Sequence, residues 1–220
     1  MSLHPHVPEE LKSFGKHLFA TFLGLLMALG LEAWREHSVE KHRAESHLHS
    51  IYEELELNRK ECASIAGNQE ANLAKCDRIT TYLEQLVVDR RAGREPQPLP
   101  KDISEIGTDF SFRTAAWDSA KATGIFRLLP QAKLAELSQT VADLERQTRI
   151  FENEVQQPWF QDYIYLGFTI FSKPLNQVVV ADVEQYMAGT RRFRFFLRKW
   201  GRVMAITEKD LTKVMKSQEK

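Results

Sequence analysis

Seven histidines, His4, His6, His17, His37, His42, His47 and His49, all fall before residue 50, and imidazoles at suitable spacing bind metal ions. Their spacing argues against a site. His37, His42 and His47 recur every five residues, which spreads them around a helix, and no carboxylate or thiol completes a zinc-like ligand set. They read as solvated side chains of a polar helix, and no metal site is assigned. The two cysteines, Cys62 and Cys76, do not form a CxxC motif. On one continuous helix they would share a face about 21 Å apart, beyond disulfide reach. Buried free thiols are the simplest reading, with a break at Gly67 or pairing between two chains as the routes to an oxidised form. Trp117 and Asp118 adjoin on a short helical segment, where a docking tryptophan and a dipole-favoured aspartate account for both without chemistry. There is no glycine-rich phosphate loop, HExxH or nucleophile elbow. No catalytic or cofactor-binding residue is assigned, and the chain does not read as an enzyme.

Binding chemistry is better represented. In Arg191 to Arg202, RRFRFFLRKWGR, a helix would place Phe193, Phe196, Leu197, Trp200 and Val203 on one face and Arg191, Arg194, Arg198 and Arg202 on another. This pattern fits an interfacial membrane binder or an anionic-partner surface, with Arg191, Arg194, Phe196, Arg198, Trp200 and Arg202 as the candidate interface. It also fits a bundle helix with a solvated basic face, the favoured reading because aromatic stripes at helical spacing usually face a core. Trp159 to Phe171 packs six aromatics into thirteen positions around one charge, Asp162. That is too short for a second span, so it reads as a buried helix or strand, with a re-entrant or interfacial segment as the alternative. Basic and acidic residues number 30 each, so no global field recruits nucleic acid.

The elements that must position these groups begin with Lys16 to Arg35, KHLFATFLGLLMALGLEAWR. No charge interrupts it from Leu18 to Leu31, and Glu32, Trp34 and Arg35 close it. The run is shorter than the usual span of roughly 20 residues, but Phe14 to Trp34 covers about 31 Å of helix, with Lys16 snorkelling and Trp34 at the headgroups. The spacing predicts a transmembrane helix over 14–35, carried by Leu18, Phe22, Gly24, Leu25, Ala28, Leu31 and Trp34, with the lipid bilayer as its partner. A cleaved signal peptide is the alternative, because Ala28-Leu29-Gly30 places small residues two apart. Glu9, Glu10 and the helical pattern beyond Trp34 argue against cleavage, and a buried core helix is the third reading. Ala20, Gly24 and Ala28 recur every four residues, as in helices that approach one another closely, although both residue types are common in membrane helices.

Past the tail 1–13 and the anchor, a long helix is predicted over 36–89. Leu48, Leu55, Cys62, Gln69, Cys76 and Leu83 hold one heptad position and Ile51, Asn58, Ile65, Asn72, Ile79 and Leu86 the other. This coiled-coil-like seam is polar in its middle, with Glu54 and Arg59 as its one evident interstrand charge pair. Packing within one chain is therefore favoured over a two-chain coiled coil, with a kink near Gly67. The Pro-rich stretch 90–102 is a linker or a hairpin tip. A second stripe, Leu134, Leu137, Val141, Leu144, Thr148, Phe151 and Val155, ends before Pro158. It would lie antiparallel to the first, within a helical domain 103–220 that completes the bundle. The fold class read from this pattern is all-α: an N-terminal transmembrane helix continuing into a long helix, packed in an antiparallel helical bundle.

Between the stripes, Phe110 to Pro130 reads FSFRTAAWDSAKATGIFRLLP, with Thr114 suited to an N-cap, a short helix over Ala115 to Thr123, and Gly124 suited to the C-cap. The run Arg113-Thr114-Ala115-Ala116-Trp117-Asp118, then alanine, lysine, alanine, threonine and glycine, resembles the signature segment of a family of uncharacterised bacterial single-pass membrane proteins. Those also open with an anchor ending in alanine, leucine and tryptophan, as Ala28, Leu29 and Trp34 do here, and continue into a charged helix. The likeness runs from the anchor to about residue 155, and the tail is less basic than the family's. It implies architecture and brings no reaction. It also implies a cytoplasmic N-terminus and a periplasmic domain, whereas Lys12 and Lys16 before the span against Arg35, Lys41 and Arg43 after it lean slightly the other way. In the periplasm, Cys62 and Cys76 would have to be buried or paired between chains. The expected function is a structural or accessory subunit at the bacterial inner membrane, binding other membrane-complex proteins or itself as a homo-oligomer. A membrane-tethered sensor using Trp159 to Phe171 as a pocket is the alternative, and an enzyme with an unlisted site the third.

Overall fold

The computed structural model describes residues 9–100 and 110–218, with side chains over 18–100 and 110–217. The tail up to residue 8, the end of the Pro-rich stretch, and the side chains of His4, His6, His17, Lys12 and Lys16 lie outside the described residues. The described chain is all-helical: α1 Glu9–Gly67, α2 Gln69–Arg91, α3 Ala115–Ala122, α4 Gln131–Val155, α5 Pro158–Phe171 and α6 Val180–Gln218, with 3₁₀ turns at Ile125–Leu128 and Leu175–Gln177.

Local sequence sets each break. Asn68 interrupts α1 and α2, yet its N–H donates to the Ser64 carbonyl and its own carbonyl accepts from the Asn72 N–H, both at 3.0 Å. The two helices therefore follow one another through a one-residue break at Asn68, beside the Gly67 at which the sequence predicts a kink. Pro158 opens α5 as its first residue, where a missing N–H costs nothing, and Gln157 before it is held extended with ψ 140. Thr114 and Gly124 flank α3 in the predicted places, and Gly124 takes the left-handed φ of +70 that lets the chain turn out of a helix. The cap itself comes from α1: Glu54 Oε2 accepts the Ala116 N–H at 2.9 Å, so Glu54 is not in the charge pair its spacing proposed. Arg59 pairs instead with Glu56 at 2.7 Å and Glu208 at 3.2 Å.

Cross-helix pairs give the chain direction. Arg91 meets Glu184 at 2.6 Å, Glu84 meets Arg191 at 2.9 Å, and Arg59 meets Glu208, so α6 runs antiparallel to the whole α1–α2 rod. The chain's second stripe behaves otherwise. Lys133 lies 5.0 Å over the Tyr52 ring, the Thr207 hydroxyl donates to Gln147 at 2.9 Å, and Phe151 meets Trp200 at 5.1 Å, so α4 runs antiparallel to α6 and parallel to α1. This corrects the expectation that the two stripes lie antiparallel. The reason is the connection. After α2 the chain descends the bundle, with the Tyr82 hydroxyl donating to the Gln97 carbonyl, Arg113 held by Asn58, and Arg127 reaching Glu40 at 2.6 Å. Over its described residues the Pro-rich stretch is thus a strap that runs back along α2. It returns α4 to the level at which α1 enters the bundle, and α6 becomes the shared antiparallel partner.

Two apolar cores stack along this three-rod bundle. The lower joins Ile51, Leu55 and Cys62 to Leu137, Leu144, Trp200, Met204 and Leu211, with Trp117 and Ile125 closing its side. The upper joins Cys76, Leu83 and Leu86 to Phe160, Tyr163, Ile170 and Phe193. Of the polar middle of the seam, Asn58 lies within the lower core, while Gln69 and Asn72 fall between the two. There Gln69 crosses to α6 and donates to the Arg198 carbonyl at 3.0 Å, through the space that Gly201 leaves, since a Cβ on Gly201 would lie 2.4 Å from Gln69 Cδ.

Candidate membrane anchor and partner-binding faces

Leu18, Phe22, Gly24, Leu25, Ala28, Leu31 and Trp34 all lie on the part of α1 that projects beyond the bundle. The helix has a window of mean hydropathy 1.4 of which none is buried, and it is the one helix among the described residues long and apolar enough to cross a membrane. The described chain does not cover this run, so it is not a core helix of this bundle. Ala44 is the first buried residue among the described side chains of α1. Ten large apolar side chains between Leu18 and Trp34 stay exposed, an arrangement whose cost in water is on the order of 10 kcal/mol. At 100° per residue, Ala20, Gly24 and Ala28 face roughly opposite to Ile51, Leu55 and Cys62, so the bundle leaves the small-residue stripe open.

The basic segment lies within α6 and divides by partner. Phe193 and Trp200 are buried and Phe196 is half-buried between the two cores, as a bundle helix requires. Arg191 is neutralised by Glu84. Arg194 forms an ion pair with Asp77, its Nη2 donating at 3.0 Å. Arg192 stacks 4.4 Å over the Trp159 ring. Arg198, Lys199 and Arg202 are exposed, with no ion pair among the described residues. Phe195, 71% exposed, and Ile206 share their stripe, well away from the buried aromatic face. Phe195 is not legible in the sequence as a surface group because it adjoins Phe196 of the buried stripe, and only its 100° offset along the helix separates the two faces.

The aromatic segment is α5, and it is amphipathic where a buried element was expected. Phe160, Tyr163, Leu166 and Ile170 are buried, while Ile164, Tyr165 and Phe168 form an exposed strip, with Phe168 75% exposed. The buried rings fill one another's space. Tyr163 stacks on Tyr186 at 4.9 Å and 4°. Each ring occupies the notch of a glycine on the facing helix, since a Cβ at Gly167 would meet Tyr186 at 2.9 Å and one at Gly189 would meet Tyr163 at 2.9 Å. Burial pushes both phenols up. A groove of about 740 Å3 lies elsewhere, on α2 beside the strap, lined by Asp77, Arg78, Tyr82, Gln85, Asp89 and Gln97. Its buried carboxylate, Asp89, is held by Arg94 at 2.8 Å and Gln85 at 3.0 Å, which ties the strap to α2.

The remaining candidates serve packing. Trp117 is buried against Phe126 at 4.5 Å while Asp118 is exposed, so the tryptophan docks α3 as the sequence proposes. Cys62 and Cys76 are free and fully buried, one in each core. Among the described residues no group of three or more histidine, cysteine or acidic side chains could hold a metal ion. His49 pairs with Glu53 at 3.3 Å on the surface of α1. Compared with protein-family models, with curated proteins and with solved structures, the chain matches none.

Proposed function

We propose that this chain is a single-pass inner-membrane protein of bacteria whose helical bundle stands off the bilayer as a structural or accessory subunit, binding other proteins of a membrane complex. The observation that carries this reading is the apolar helix of Leu18 to Trp34, bare on every side and continuous with the seam that begins at Ala44. An apolar surface of that size is stable only inside lipid or against another protein. A signal peptide fits less well, because Ala28-Leu29-Gly30 lies inside an unbroken helix that ends at Gly67. Cys62 then lies about 42 Å and Arg91 about 85 Å along the rod from Trp34, so the exposed faces of α5 and α6 are displayed far from the headgroups. We place the bundle in the periplasm, in line with the family resemblance. Full burial of both thiols accords with an oxidising compartment.

The test begins with extraction. The protein should stay with membranes in carbonate and leave only in detergent, and a mature chain beginning after Gly30 or a carbonate-soluble one refutes the anchor. Alkaline phosphatase fused after Lys220 should be active, whereas an inactive phosphatase with a fluorescent cytoplasmic reporter places the bundle inside. Co-purification with a stable partner in mild detergent is the expected outcome for a subunit, and a lone chain at every detergent level counts against it.

A further inference from the structure

The geometry points to the outward ridge of α6, Phe195, Lys199, Arg202 and Ile206 with Arg198 beside them, as the docking surface for an acidic amphipathic helix of a partner protein. This inference rests on the reading of the chain as a partner-binding membrane subunit and names the partner's chemistry. From Glu184 to Glu208, α6 carries no acidic residue between these two, although the chain as a whole is neutral. The cations of this stretch are of two kinds. Arg191 and Arg194 are held by Glu84 and Asp77 on α2, and Arg192 by the Trp159 ring, so they serve the fold. Arg198, Lys199 and Arg202 meet no carboxylate among the described residues and face solvent.

Two exposed apolar side chains bracket these free charges, Phe195 at 71% and Ile206 at 61%. Positions 195, 199, 202 and 206 are spaced four, three and four residues, so they form one straight stripe about 16 Å long. A helix laid along it presents its own side chains with the same period, apolar at the ends and acidic in the middle. Lipid in the anchoring membrane does not reach the ridge. Met204 touches Cys62 with sulfurs 3.8 Å apart, and that level is about 42 Å along α1 from Trp34, several Debye lengths at physiological salt. A nucleic-acid backbone would engage a broad basic track, whereas here three free charges are confined between two exposed hydrophobic residues. Charge and shape together favour an acidic helix.

The test uses the full chain in nanodiscs of neutral lipid and a labelled synthetic peptide with glutamates at i, i+3, i+4 and i+7 between terminal leucines. Controls are a scrambled peptide of the same composition and a short DNA duplex. The amphipathic peptide should bind more tightly than either control, and binding should fall about tenfold or more between 50 and 300 mM salt. Charge reversal, R198E/K199E/R202E, should remove binding at unchanged helicity. If reversal disturbs the fold, R198Q/K199Q/R202Q gives the same readout. A photo-crosslinker at position 195 should label the peptide and one at position 168 on α5 should not. Equal binding of the scrambled peptide, tighter binding of DNA, indifference to the charge variants, or labelling from position 168 alone each overturns the proposal. Labelling from 168 alone, or a partner that co-purifies undiminished with the charge-reversed chain, sinks the ridge while the subunit reading stands. Loss of membrane association sinks that reading by a separate measurement.

Discussion

Cys62 lies against Met204 in the lower core and Cys76 among the aromatics of the upper, and burial pushes their thiols from the ordinary 9.0 up to about 12 and about 11. The unfolded chain releases these protons from about pH 9 while the folded chain still holds them. Their contribution is therefore whole below that pH and is lost as pH rises from about 9 towards 11 to 12. Tyr163 and Tyr186, raised by burial as well, act in the same direction. Denaturant midpoints measured from pH 8 to 11 should fall, and fall less steeply in C62A/C76A; identical slopes would show that the thiols are not protected. In the native protein at pH 8 neither thiol should react with an aromatic disulfide reagent, and both should after denaturation. Gly189 offers a second residue-level test. Alanine there gains about 1 kcal/mol of helix propensity, but its Cβ would sit 2.9 Å from a Tyr163 ring already stacked on Tyr186. Overpacking costs about 1–3 kcal/mol, so Gly189→Ala should be net destabilising. Gly24→Ala, with nothing within 4 Å, should leave the bundle's melting unchanged.

Asn58 decides how the long helix is to be understood. In a two-chain coiled coil an asparagine at a seam position weakens the pair, and leucine there would stabilise it. Here Asn58 is 1% exposed and clamps the backbone of Arg113, accepting its N–H at 3.0 Å and donating to its carbonyl at 2.9 Å. Asn58→Leu would leave both groups unpaired, so a loss of about 2 kcal/mol is expected by chemical denaturation. A gain in stability would restore the coiled-coil view. The stripes themselves were legible: Leu55 and Leu137 are buried in one core, and Leu55→Asp or Leu137→Asp should unfold the bundle by burying an unpaired carboxylate at a cost of several kcal/mol, read as lost helicity and melting. Unchanged melting in both would mean these stripes are not the core. What heptads could not convey was partner and direction, because α1 and α4 both present apolar stripes that suit each other as well as they suit α6. The deciding groups, Asn58 and Glu54 holding residues 113 to 116 from across the bundle, are ordinary polar residues whose long-range partners leave no periodic trace. On α6 the buried aromatic face was readable from spacing. The division of its arginines into paired and free depended on where Asp77 and Glu84 fall on a neighbouring helix.

At the scale of the whole molecule the anchor and the bundle share a helix, and none of the anchor's described side chains is buried. The apolar window is entirely unburied, the first buried residue among the described side chains of α1 is Ala44, and the lowest cross-link described on the rod is Glu40 to Arg127, an exposed pair at 2.6 Å. Such a surface pair contributes about 0–1 kcal/mol. Stability of the bundle should therefore not depend on the span. Deleting residues 1–35 keeps Glu40 and every buried residue of both cores and removes ten exposed apolar side chains that otherwise drive association in water. The truncated chain is expected to be soluble and monodisperse without detergent. Its melting temperature should lie within about 2–4 °C of the full chain's in a mild detergent, the shift expected for 1 kcal/mol in a domain of this size. A truncated chain that aggregates, or that melts far lower, would mean that Leu18 to Trp34 folds back on the bundle and belongs to its core. That result would remove the physical ground for placing the helix in lipid.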